Sequence, residues 1–148
     1  MSCPPSDDER LSGGDGLPGR LPPEADLFRY ADLALGMAYD SCFGGAFNHA
    51  AQILQEVVSF IECHAVAADR AAMSEPAYQL AFLHLQSGRL QEAEETLLKA
   101  LAEAVRVGGL CSAHIVPYLW TYARILRQLN RPAEAAFVHC WADCNKRN

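Results

Sequence analysis

Residues 74–106 read SEPAYQLAFLHLQSGRLQEAEETLLKALAEAVR, and this stretch decides the fold. Tyr78, Ala81, Phe82 and Leu85 recur at steps of three and four and form one apolar stripe, the Ser87-Gly88-Arg89 triplet interrupts it, and Leu90, Ala93, Leu97, Leu98, Ala100 and Leu101 form the next. That pattern predicts a helical hairpin. Glu92, Glu94 and Glu95 fall in the opening turns of its second helix, where the positive end of the helix dipole favours carboxylates, and Lys99 follows Glu95 by four residues. Gly108-Gly109 closes the second helix.

The pattern recurs in both directions. Ala81, Ala93 and Ala100 have counterparts 42 residues on at Ala123, Ala135 and Ala142, with Leu129-Asn130-Arg131 in place of the break and Pro132 where a helix can start without losing a bonded N–H. Backwards, Ala38, Ala50 and Leu54 stand 43 residues before Ala81, Ala93 and Leu97, with Gly44-Gly45 as the break. Three hairpins follow, at about residues 24–66, 74–108 and 113–144, and the alanines are the expected repeat-packing residues, since a small side chain lets helix axes approach where they cross. The expected class is all-α with scarcely a strand signal.

These residues resemble the tetratricopeptide repeats. Tyr78 to Ala81, Gly88 to Ala93, Leu97 and Lys99 to Leu101 fill the signature sites of that family, and the 42-residue step is similar to the longer-helix variety of kinesin light chains. The first and third units depart from it: Gly36 falls inside a helix, Val57 stands where Ala100 and Ala142 do, and His139 replaces the expected Leu. The resemblance implies a right-handed superhelix, a TPR-like α-solenoid of three antiparallel helix pairs, whose concave face holds a peptide or helix.

Helical phase places Tyr39, Cys42, Phe43, Tyr78, Phe82, Leu85, Gln86, Trp120, Arg124, Arg127 and Gln128 on that inner face. From these the expected partner-binding groove is Tyr39, Phe43, Tyr78, Phe82, Gln86, Trp120, Arg124 and Arg127, rich in the residue types that dominate binding hot spots. Each aromatic has a competing reading as core. The Lys/Asn clamp with which some relatives hold a chaperone's C-terminal carboxylate is missing; Leu35, Tyr39, Gln79, Pro117 and Thr121 stand at those sites. Arg124 and Arg127 suit an apolar segment with an acidic neighbour.

The remainder of the chain narrows the classes of function. The chain has 148 residues, 51% hydrophobic and 20% charged, enough for one domain-sized core, and its net charge of −6 argues against a phosphate-backbone binder. Residues 1–23 carry nine Pro and Gly residues and read as a disordered, acidic leader; six acids against two arginines within residues 1–26 put −4 of the charge there. The absence of an apolar secretory segment points to a cytoplasmic protein, with the nucleus open, and to free thiols for Cys3, Cys42, Cys63, Cys111, Cys140 and Cys144.

His139, Cys140 and Cys144 are the metal candidates, with Cys111 or His114 as a further ligand, but they lack the paired turn-borne cysteines of structural zinc, so no metal or other cofactor is expected. The bland reading packs Cys140 into the last helix interface. Cys111 and His114 at a helix start lack an orienting third group, and no phosphate loop, nucleophile elbow or zinc-protease motif occurs. The chain is therefore read as no enzyme but as an adaptor or small complex subunit, the alternatives being a chaperone that keeps a client soluble and a metal-binding helical protein. The last helix, with Phe137, Val138, Cys140 and Trp141 before a tail at Asn145 to Asn148, is expected to be an uncapped end that self-associates or docks onto a partner.

Overall fold

The computed structural model of the chain describes residues 27–147, and the expected leader and the first three residues of the repeat body lie outside them. Among the described residues six α-helices follow one another: α1 (Leu27–Phe43), α2 (Phe47–His64), α3 (Ser74–Gln86), α4 (Leu90–Gly108), α5 (Val116–Gln128) and α6 (Pro132–Lys146). Short 3-10 segments at Ala67–Met73 and Ala113–Ile115 precede α3 and α5, and no strand occurs among the described residues. The chain is all-α. It divides into two compact units, Met1–Pro76 and Ala77–Asn148.

The three breaks read from the sequence are one turn made three times. Gly45, Gly88 and Asn130 have φ of 81°, 79° and 60°, the left-handed conformation that glycine adopts freely and asparagine tolerates. Their N–H groups donate three residues back, to the carbonyls of Cys42, Leu85 and Arg127, and the next N–H groups, of Ala46, Arg89 and Arg131, donate five residues back, to Ser41, His84 and Leu126. This paired bonding satisfies the carbonyls a helix end leaves open, and the positive φ turns the chain into the next helix. The carbonyls of Ala46, Arg89 and Arg131 then accept from Ala50, Ala93 and Ala135, which starts that helix. A repeat of 43 and then 42 residues is thus present in the backbone.

Burial follows the same register. Ala38, Ala81 and Ala123 are buried, as are Ala50, Ala93 and Ala135, and so are Val57, Ala100 and Ala142, so a valine serves at the third position of the first segment. At the positions of Leu54 and Leu97, both buried, α6 carries the half-buried His139. In the first unit α1 packs along α2, closing a core of Tyr30, Ala34, Ile53, Leu54, Val57 and Ile61, with Phe60 edge-on to Tyr30 at 5.3 Å between ring centroids.

In the second unit α4 packs on α5 and α5 on α6, around Leu97, Leu119, Ile125 and Leu126. The end of α6 departs from expectation. It runs to Lys146, and Asn145, assigned to the tail by sequence, is 2% exposed. Its Nδ2 donates to the Leu110 carbonyl at 2.8 Å, and Trp141 Nε1 donates to the same oxygen at 3.0 Å. Two donors on α6 thereby hold the loop that follows α4.

Candidate functional site

The residues expected along the inner face occupy both units. In the first, Tyr39 is exposed on α1, Cys42 is half-buried, and Phe43, at the helix end, is 91% exposed. The Tyr39 hydroxyl is pushed above the usual tyrosine value by partial burial, and further by the Glu75 carboxylate and the Cys42 thiol.

In the second unit Tyr78 is a structural tie. Thr121 donates its hydroxyl to the Pro117 carbonyl one turn back at 3.0 Å, so the 3.0 Å contact between the Tyr78 and Thr121 oxygens is completed by the Tyr78 proton. The Tyr78 ring lies 5.0 Å from that of Tyr118, which is buried. Phe82 is half-buried and Gln86 exposed. Leu85 is buried, which corrects its placement among the exposed inner residues.

Helix α5 presents the best-defined surface. Trp120, Arg124 and Arg127 follow at steps of four and three, so one helix face carries all three, and all are exposed, Trp120 to 43%. The Lys146 ammonium lies 5.5 Å from the centre of the Trp120 ring, a cation–π contact that adds a third positive charge to the stripe. Arg124 and Arg127 have no ion-pair partner among the described residues.

The acids near the end of α5 are committed elsewhere. Arg131, in the turn after α5, donates from Nε and Nη2 to both oxygens of Glu134 at 2.6 and 2.7 Å, and from Nη1 to Glu94 on α4 at 2.7 Å. The two hydrogen bonds raise the Arg131 pKa, and the guanidinium holds the Glu134 carboxyl below its usual range. Tyr122 donates to the same Glu94 oxygen at 3.4 Å; burial, then the Glu94 charge, push its pKa up. Sequence reasoning missed this bridge. The Arg131–Glu134 half has a local signal in its three-residue spacing, but the Glu94 half, 37 residues away, has none.

The metal candidates do not converge. Cys140 and Cys144 are exposed, His139 faces Asp143 with Nδ1 3.4 Å from the carboxylate, and no group of three His, Cys, Asp or Glu side chains that could hold a metal occurs among the described residues. Cys140 therefore does not pack in the last interface. Cys111 and His114 are both exposed, and the Ser112 hydroxyl between them caps the 3-10 turn by accepting from the His114 N–H at 3.0 Å. Among the described residues, Cys42, Cys63, Cys111, Cys140 and Cys144 form no disulfide. No described helix is long and apolar enough to cross a membrane.

No protein-family model and no curated protein matches the chain. The surface of α5 is therefore interpreted from its own chemistry.

Proposed function

We propose that the chain is a non-catalytic protein-interaction module, a tetratricopeptide-like array of helix pairs, that binds an acidic segment of a partner protein along the exposed face of α5. One observation carries the reading: Trp120 is exposed between Lys146 and two arginines, Arg124 and Arg127, that have no ion pair among the described residues. Arginines left unpaired beside an exposed indole combine a large apolar contact with charge that is free to engage carboxylates. The geometry favours a segment with one apolar side chain for the indole and acids on its flanks. Tyr78 belongs to the scaffold beneath this surface, and Gln86 and Phe82 are candidates for its margin.

The test is capture of partners from native extract with the full-length protein, the Arg124→Glu/Arg127→Glu double variant, and Arg106→Glu on α4 as a charge control. The reading expects a stoichiometric partner that is lost with the double variant, kept with the control, and bound through a segment that is acidic when mapped. A partner retained equally by all three proteins, or none captured by any, overturns it.

A further inference from the structure

The second unit shows how the first helix of one hairpin covers the first helix of the next. Tyr78 of α3 lies 5.0 Å from the Tyr118 ring and bonds the Thr121 hydroxyl at 3.0 Å, and Tyr118 and Thr121 are buried. A tight turn reverses the chain between α3 and α4, and Glu94 near the start of α4 meets Tyr122 and Arg131 near the end of α5, so α3 and α5 run parallel. In that parallel register Phe82, one turn after Tyr78, stands beside Ile125, one turn after Thr121, and Ile125 is buried.

The repeat carries both halves of this contact onto exposed surfaces. Trp120 and Arg124 of α5 stand 42 residues after Tyr78 and Phe82, and both are exposed. Leu33, Gly36 and Asp40 of α1 stand at the positions that Tyr118, Thr121 and Ile125 fill in α5, and all three are exposed, Leu33 to 50%. A Cβ on Gly36 would meet nothing within 4 Å, so this glycine, which weakens the middle of a helix, answers no packing need among the described residues.

The two surfaces differ from the internal contact in matched ways. The giving side has an indole in place of a phenol, and the receiving side a glycine in place of a threonine, so the larger ring meets the smaller residue. Where Phe82 stands beside Ile125, the exposed pair is Arg124 and Asp40, and neither has an ion pair among the described residues. Charge counted over each whole unit has the same signs. Residues 77–148 carry eight Lys and Arg against six Asp and Glu, whereas residues 27–76 carry Arg29 and Arg70 against six acids. Arg29, the cation of α1, lies two turns before Gly36, opposite the uncharged start of α5 in this register, and is engaged within the chain. Residues 1–26 do not suit the α1 face: their net charge is −4, of the same sign as its own, and nine Pro and Gly among the first 23 make poor material for a covering helix.

We propose that α5 of one copy of this chain packs parallel on α1 of a second copy, with Trp120 over Gly36 and against Leu33, and Arg124 paired with Asp40. This rests on the α5 reading above, whose acidic segment with one apolar side chain it identifies as Asp32, Leu33 and Asp40 of the same sequence. A contact between two different surfaces does not close on itself, so copies add head to tail.

Sedimentation of the purified full-length protein across about 1 to 100 µM tests it. The expected result is a mass that rises with concentration from 16.2 kDa to beyond twice that value. Arg124→Glu/Arg127→Glu and Gly36→Gln should each weaken the association at least about tenfold, with the helical circular dichroism unchanged. Mixed one to one, the two variants keep a single working pair of surfaces, the α1 face of the first and the α5 face of the second, and should form dimers that grow no further. A wild type that stays monomeric at the highest concentration, self-association that survives either variant, or a mixture that gives no complex overturns the proposal. The α5 reading fails separately. An acidic partner other than this chain, captured from extract and lost with Arg124→Glu/Arg127→Glu while the purified wild type is monomeric, overturns the self-contact alone; a partner held equally by that variant overturns both.

Discussion

Replacing Asn145 by Asp changes a single atom pair at the end of α6, and the structure sets the consequence. The Asn145 side chain is 2% exposed, and its Nδ2 donates to the Leu110 carbonyl at 2.8 Å. Aspartate puts an acceptor where the donor stood, so two oxygens face each other and a carboxylate loses most of its water. The lost hydrogen bond costs about 1 kcal/mol, and the desolvated, repelled charge about 2 more, which gives a loss of about 3 kcal/mol at neutral pH. The loss is pH-dependent in a defined sense. Burial against a carbonyl disfavours the charged form, so the folded pKa of the new carboxyl lies above its unfolded value of about 3.9. The folded variant then holds a proton that the unfolded chain has released, and the protonated acid can again donate to Leu110. The deficit relative to wild type is therefore full above the folded pKa and shrinks as pH falls through it towards the unfolded value. Urea unfolding followed at 222 nm, for wild type and variant in parallel at pH 7.5 and pH 5 and at one protein concentration, reads the difference while the titrations common to both cancel. Asn145→Leu, which brings no charge, should lose less and show no such pH dependence. A variant as stable as wild type at pH 7.5, or a deficit that does not change with pH, would refute the reasoning.

Two further perturbations address the repeat core. Ala93→Leu and Ala135→Leu each add three carbons at a closed helix crossing and should cost roughly 1 to 3 kcal/mol, whereas Ala102→Leu on the exposed side of α4 should stay within about 0.5 kcal/mol; equal melting temperatures for all three would remove the repeat register. His84, 8% exposed, has its pKa depressed by burial first and then by Arg89, against a weaker opposing pull from Glu92, so its neutral form contributes stability that is present above the unfolded pKa of about 6.5 and lost as pH falls through the folded one. The urea midpoint of wild type should therefore drop more between pH 7.5 and 5.5 than that of His84→Leu, and equal drops would show that His84 does not titrate with unfolding.

The parts of this molecule that were legible in the sequence are those that local chemistry decides. A chain that reverses between two helices needs a residue at positive φ, so Gly45, Gly88 and Asn130 mark the turns, and the spacing of the turns fixes the three segments. The face carrying Trp120, Arg124 and Arg127 was equally legible, because 3.6 residues per turn groups them whatever lies nearby. What failed were particular placements that needed a second element. Leu85 shares the phase of exposed residues yet is buried, and phase alone does not say what covers a face. The burial of Asn145 is set by a carbonyl 35 residues upstream, and Glu94 meets Arg131 across 37. Polar residues in such places look like surface until the acceptor is known.

The same distinction bears on the last helix. Its apolar content, taken alone, suggests the raw end of a stack, but the sequence mixes two sides of α6 that the structure separates. Val138 is buried, and Trp141 is half-buried with its indole N–H bonded to Leu110, so the side they occupy is already closed by the chain itself. Phe137, Cys140 and Cys144 lie on the other side, at positions where α2 has Gln52, Gln55 and Ser59. Once the turns have set the register, α2 acts as an internal reference for what this scaffold places in water at these positions. Against that reference a phenylalanine 72% exposed is a departure that the fold does not require. The polar side chains of α2 at the same positions show that the turn and its register are kept without an apolar residue there.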